Sequence, residues 1–169
     1  MVVGGVVVDE VGLAALADLG VKDSKKLSPV RREELAPQIG EIALGYELRL
    51  VEPARIDETN LNLLDIEEIV YLICKFSPEK VFFDVPTHPG GVGNFVGAVR
   101  GKVSVGISLV GENHADEKYP VVSAASILAK VERDRIVSKL RQGYGDFGSG
   151  YLSDAKTQDF LRVWFEKFG

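Results

Sequence analysis

Val81-Phe82-Phe83 is a short, unbroken apolar run that stops on Asp84, the pattern of a strand buried in a sheet that is covered on both faces. A strand of that kind needs a helical layer on each side, and the flanking sequence supplies the spacing for one. Asn60 to Phe76 repeats apolar residues at Leu61, Leu64, Ile69, Leu72 and Ile73, and Gly91 to Val99 reads as a short helix. Val103 to Val110 reads as a further strand, after which Ala115 to Arg135 passes from an acidic strand end directly into an amphipathic helix, Val121 to Leu140. Upstream, Val2 to Val8 is a β-branched run interrupted by Gly4 and Gly5, and Leu13 to Leu19 is a helix stopped at Gly20. Ser28-Pro29 opens another helix, with serine as cap and proline in the first helical position. Ile42 to Val51 alternates as a half-buried strand does, and Ala155 to Phe168 is the last helix. Strands alternating with helices predict an α/β layer architecture.

With 169 residues, 46% of them hydrophobic, the chain is long enough for one domain spanning 1–169 with its own core. No apolar run approaches the roughly 20 residues of a membrane span, and no basic region followed by a cleavage site opens the chain, so a cytoplasmic protein without a membrane partner is expected. Cys74, the single cysteine, sits in the apolar stretch Ile69 to Cys74 and is expected to be a buried, inert thiol. The net charge of −5 argues mildly against general nucleic-acid binding. The charges are nonetheless clustered: Lys22, Lys25, Lys26, Arg31 and Arg32 form one basic group and Lys130, Arg133, Arg135, Lys139 and Arg141 a second, while Asp57, Glu58, Asp65, Glu67 and Glu68 form an acidic block. Either basic group can hold phosphates or be a solvated helix face.

Asp84 ends a buried strand, and α/β sheets bind ligands outside the carboxyl ends of their strands. Asp116 follows the next strand after a short polar turn, about one strand-helix-strand unit later. Neighbouring parallel strands therefore bring both carboxylates to one rim. Paired carboxylates are costly to hold together without a cation, and an oxygen-only ligand set favours Mg²⁺ or Mn²⁺. The alternative is that each aspartate caps its own turn.

Three ordered motifs add to this. Asp23-Ser24-Lys25-Lys26-Leu27-Ser28-Pro29 with Arg31-Arg32-Glu33-Glu34-Leu35, then Ala115-Asp116 with Tyr119 to Val131 and Arg133-Asp134, then Gly148-Ser149-Gly150-Tyr151 with Ser153-Asp154 and Lys156-Thr157, closely resemble the hallmarks of ribonuclease HII, the type 2 ribonucleases H, in their archaeal form. The resemblance runs from Val2 to Gly169. It implies a ribonuclease H-like mixed sheet flanked by helices and an endonuclease that cleaves the RNA strand of RNA–DNA hybrids, and ribonucleotides embedded in duplex DNA, leaving 5′-phosphate and 3′-hydroxyl ends. It also implies that Asp84 and Asp116 are two of four metal-binding, catalytic carboxylates for a pair of Mg²⁺ or Mn²⁺ ions about 3.5–4 Å apart. Ser24, Lys25, Lys26 and Lys130 match residues near the substrate backbone, and Tyr151 the tyrosine packed against the sugar at the RNA–DNA junction. A monomer acting on hybrid or ribonucleotide-containing duplex is the implied assembly.

The chain departs from that family pattern at its start. The family opens with a strand ending in Asp-Glu-Ala-Gly-Arg-Gly, whose acids complete the metal site, and this segment is absent from the sequence. Asp9-Glu10-Val11-Gly12 imitates it, but Leu13 stands in place of arginine, and Asp23 follows too soon for a further strand to intervene. Val2 to Val8 is accordingly expected to be the family's second strand, Asp9-Glu10 a solvated turn, and the chain shortened at both ends. The expected consequence is an inactive or impaired nuclease, the alternative being a relative that binds hybrids without cutting. Leu152 replaces a usual proline after the tyrosine. Trp164, Phe165 and Phe168 are expected in the core or at a docking surface rather than on bases. His114 is a candidate proton shuttle or a plain exposed histidine, and His88 a loop residue.

Overall fold

The computed structural model describes residues 1–21 and 27–169. The first motif's Ser24, Lys25 and Lys26 lie outside the described residues. In order along the chain come β1 (Val2–Val7), α1 (Glu10–Asp18), α2 (Pro29–Ile42), β2 (Gly45–Leu50), α3 (Pro53–Glu58), α4 (Leu61–Phe76), β3 (Lys80–Asp84), α5 (Val92–Arg100), β4 (Ser108–Glu112), α6 (Ala115–Lys118), α7 (Pro120–Tyr144) and α8 (Ala155–Phe168). Two compact units result, Met1–Val131 and Glu132–Gly169.

In the first unit the strands form two pairs among the described residues. β1 and β2 are antiparallel, with Val2 opposite Leu50 and Val7 opposite Gly45. β3 and β4 are parallel, with Lys80 opposite Ser108 and Asp84 opposite Glu112. Two packed clusters support them. Leu16, Val21, Leu35, Ile39, Ala124, Ile127, Leu128 and Val131 gather beside the first pair, and Ile66, Ile73, Phe83, Val85, Phe95 and Val99 beside the second. The α7 helix presses so closely on β1 that a Cβ on Gly4 would lie 2.6 Å from the Ala125 carbonyl oxygen. Only glycine fits there, which explains the interruption in the β-branched run.

The direction of each element follows from the contacts of α4. Leu72 packs where a Gly5 side chain would start, and the Phe76 ring packs against Gly45, the partner of Val7. Near its other end, Asp65 feels the charge of the amino terminus and that of Asp84. Hence α4 runs alongside β1 in the same sense, and β3, which returns from the end of α4 to Asp84, runs opposite to β1.

The helix starts obey the local chemistry read from the sequence. Ser28 accepts from the Arg31 amide at 3.2 Å with Pro29 at the first position, Asn60 caps α4 through the Asn62 amide at 2.9 Å, and Gly20 takes a left-handed φ of 76° just past α1. Several expectations need correction. The strand predicted over Val103 to Val110 forms only at Ser108–Glu112, because the Arg100 guanidinium donates to the Ile107 carbonyl and holds the preceding segment as a turn. Cys74 is exposed rather than buried: α4 turns Leu72 and Ile73 inward, which carries residue 74 to the water side. Arg32 is buried with its guanidinium donating to the Leu27 carbonyl at 2.7 Å, so it is no part of a solvated basic face. The acidic block is likewise divided, since Glu68 is buried and bonded to Arg49 at 2.8 Å.

In the second unit, Phe147, Phe160, Trp164 and Phe168 stack in succession, with Tyr144 edge-on to Trp164. Trp164 and Phe168 pack on each other yet are 37% and 58% exposed, and Phe165 is 67% exposed, so of the two expected places none of the three takes the core. Among the described residues no helix is long and apolar enough to cross a membrane.

Candidate functional site

The site is built by the parallel register of β3 and β4. Because Asp84 lies opposite Glu112, the chain leaving β4 turns directly beside the end of β3. Asn113 fixes that turn: its side-chain amide donates to the Val85 carbonyl at 2.6 Å and the Thr87 carbonyl at 2.7 Å. His114 then adopts a left-handed φ of 56°, and α6 begins at Ala115. The Ala115 amide donates to Asp84 Oδ1 at 3.1 Å, so the residue next to Asp116 is tied to the Asp84 carboxylate. Asp116, 1% exposed, thus follows the Asp84 contact by one residue, on a short helix that begins after the short polar turn expected from the sequence.

Asp65 approaches the same corner from α4. Its carboxyl is pushed up to about 6, first by burial and then by the Asp84 charge, with the amino terminus opposing. Sequence reasoning counted Asp65 only as one of the acidic block. The signal available was its position on α4 next to the inward-facing Leu64 and Ile66, where a carboxyl is out of place unless it has a use. Glu112, by contrast, is already engaged by Lys118 and by the Tyr119 hydroxyl, and these hydrogen bonds hold its carboxyl below the usual range. The Tyr119 ring is fixed in turn against Phe82, with centroids 4.5 Å apart.

A cavity of about 310 Å³ opens beside Asp84, walled by Val85, Pro86, Thr87, Pro89, Asn113 and His114. His114 is exposed and 3.5 Å from Glu117, and His88 lies in the loop before α5 as expected. Asp9 caps α1 by accepting from the Gly12 amide at 2.7 Å, and Glu10 is exposed. Both follow the end of β1, and since β1 and β3 run oppositely, they stand away from Asp84 rather than beside it.

A hard divalent cation prefers several oxygen ligands, and the donors that converge here are carboxylates. Among the described residues, no three His, Cys, Asp or Glu side chains are grouped closely enough to hold a metal ion. Asp84 and Asp116 alone would supply at most part of the oxygen ligand set of such an ion.

Lys130 is half-buried on α7. In the second unit, Tyr151 is 46% exposed and the Arg133 guanidinium stacks 3.7 Å from its ring centre. The loop carrying it is preformed. Asp154 accepts from the Ser149 amide at 2.7 Å and the Lys156 amide at 3.0 Å, Thr157 donates to the Phe147 carbonyl, and Gly148 and Gly150 take φ of 81° and 73°.

Comparison with known proteins decides the family. The sequence profile of ribonuclease HII matches residues 1–168. The chain belongs to the ribonuclease HII family. Ribonuclease HII of Pyrococcus horikoshii is 38% identical over 174 residues, a match that takes in all of this chain and 78% of the relative. Among solved structures, the PCNA:RNase HII complex from Archaeoglobus fulgidus matches with a TM-score of 0.87 and 40% identity, over 98% of this chain and 79% of that one. The ribonuclease H2 of Pyrococcus horikoshii matches with a TM-score of 0.83 at 35% identity, over all of this chain and 89% of that one. The mixed α/β arrangement described above is thus the ribonuclease H-like fold of that family.

Proposed function

We propose that this chain is a divalent-metal-dependent endoribonuclease acting on the RNA strand of RNA–DNA hybrids and on ribonucleotides in duplex DNA, with Asp84 and Asp116 as its metal-holding carboxylates. The observation that supports the reading is the hydrogen bond from the Ala115 amide, one residue before Asp116, to Asp84 at the carboxyl end of β3. Bound Mg²⁺ or Mn²⁺ would polarise a phosphoryl oxygen and acidify a water, leaving 5′-phosphate and 3′-hydroxyl ends. The chain's own contribution is to hold the carboxylates at a fixed separation and to bring the backbone of the substrate to them. Lys130 from α7 is read as a phosphate contact, Tyr151 as the plane against the sugar, and Ser24, Lys25 and Lys26 as backbone contacts.

Asp9 and Glu10 stand away from Asp84, so this reading assigns the metal to Asp84 and Asp116 and gives the first two no part in it. The same observation favours a second reading, a hybrid-binding relative that does not cut. A labelled hybrid incubated with the protein and Mn²⁺ separates the two. Slow cleavage abolished by Asp84→Asn and Asp116→Asn supports the nuclease. Retained binding with cleavage no faster than in those variants supports the binder. Absence of both binding and cleavage would refute both.

A further inference from the structure

The parallel ladder between β3 and β4 makes its last rung where the Val85 amide donates to the Glu112 carbonyl at 2.9 Å. Pro86 has no N–H with which to carry the ladder further. A side chain takes over at that point. The Asn113 amide donates across to the Val85 carbonyl at 2.6 Å and to the Thr87 carbonyl at 2.7 Å, so both of its N–H groups are spent on the loop that leaves β3. Two residues further on, the Ala115 amide donates to Asp84 Oδ1 at 3.1 Å.

Between Asn113 and Ala115, His114 has a left-handed φ of 56°, a conformation that a residue other than glycine keeps only where its surroundings hold it. Below the turn the strands are fixed by packing of another kind. A Cβ on Gly111 would lie 2.7 Å from the Phe83 ring and 2.7 Å from the Val96 side chain of α5, which leaves β4 no room to shift. Removal of the Asn113 amide would therefore release the turn and leave the strand pair standing.

We infer that Asn113 is a positioning residue for metal binding: its two hydrogen bonds hold the turn in the form that keeps the Ala115 amide on Asp84, and so fix where the chain delivers Asp116. The inference rests on the reading of Asp84 and Asp116 as the metal-holding residues and adds the residue that sets their backbone relation. Groups that orient the ligands of a metal change its affinity by about 10- to 100-fold when they are removed.

The test compares Asn113→Ala with Arg100→Met in the whole chain. The Arg100 guanidinium makes a bond of the same kind, to the Ile107 carbonyl at 2.6 Å, but at the entry to β4 rather than at its exit. Amide exchange at Ala115 without metal, Mn²⁺ affinity by electron paramagnetic resonance and urea denaturation are measured for both. In Asn113→Ala, exchange at Ala115 should quicken by at least about tenfold and Mn²⁺ should bind about 10- to 100-fold more weakly. Arg100→Met should change each by less than about twofold. Should denaturation show that Asn113→Ala does not fold, Asn113→Ser, which can keep one of the two bonds, takes its place with an expected loss of at least about threefold.

Unchanged exchange at Ala115 would overturn the inference whatever the metal does. Faster exchange with unchanged Mn²⁺ affinity, in a protein where Asp84→Asn does weaken the ion, would overturn it and leave the metal reading standing. Equal losses in Arg100→Met would make Asn113 a structural bond only, and overturn it too. Asp84→Asn without effect on the ion would remove the metal reading and the inference with it.

Discussion

Two regions of the chain each organise a turn around an aspartate, and they use it in opposite ways. In the glycine loop, Asp154 spends one oxygen on the Ser149 amide and the other on the Lys156 amide. That carboxylate is saturated by the backbone it organises, and its carboxyl is held below the ordinary range chiefly by the Ser149 amide. At the end of β3, Asp84 gives one oxygen to the Ala115 amide, while among the described residues the second oxygen takes no hydrogen bond. A carboxylate with both oxygens committed is scaffold; one with an oxygen to spare beside a second, buried aspartate is available to a cation.

The sharpest way to break that contrast is to neutralise each aspartate in turn. Asp84→Asn and Asp116→Asn should lower Mn²⁺-dependent cleavage of a hybrid by a hundredfold or more, whereas Asp154→Asn should change it less than tenfold. A gel assay under single-turnover conditions reads all three. Stability should reverse the order. Asp154→Ala removes the cap of α8 together with the loop's anchor and should cost about 1–2 kcal/mol in urea denaturation. Asp84→Asn, which can still accept from Ala115, should cost less than Asp84→Ala.

Asp65 gives a pH test. Its folded value of about 6 lies above the ordinary 3.8, so the folded state binds the proton more tightly than the unfolded one. The stability this gives is complete below pH 4 and is lost as the pH rises through 6, an effect of about 1–2 kcal/mol once solvent screening of a partly exposed group is discounted. Asp65→Asn should flatten that slope in denaturation measured from pH 4 to 7, and an unchanged slope would remove Asp65 from the corner. The smallest expected effect is at Arg133, whose replacement by methionine should loosen Tyr151 and weaken hybrid binding by about two- to fivefold, read by fluorescence anisotropy.

What the sequence revealed follows the range of the interactions concerned. Caps and apolar runs are local, so Ser28 and the β3 run ending on Asp84 could be read directly. The meeting of Asp84 with Ala115, the residue before Asp116, was legible from one further inference, that neighbouring parallel strands share a rim. Other features depend on which way a helix faces. Cys74 is exposed although its neighbours are apolar, Arg32 is buried although it sits in a charged run, and Asp65 is turned toward Asp84 although it belongs to an acidic block. Composition averages over a helix turn, and each of these depends on a rotation of about 100° per residue that packing alone fixes. The truncated strand at 103–107 failed for a similar reason, since one guanidinium from α5 reached its backbone.

Mn²⁺ titration followed by the loss of the free-ion electron paramagnetic resonance signal tests the metal assignment most directly, using the whole chain without nucleic acid. Binding in the unsubstituted protein that weakens at least tenfold in both Asp84→Asn and Asp116→Asn is the predicted result. Equal affinity in the unsubstituted protein and in Asp116→Asn would show that the two aspartates do not share an ion, and would contradict the account.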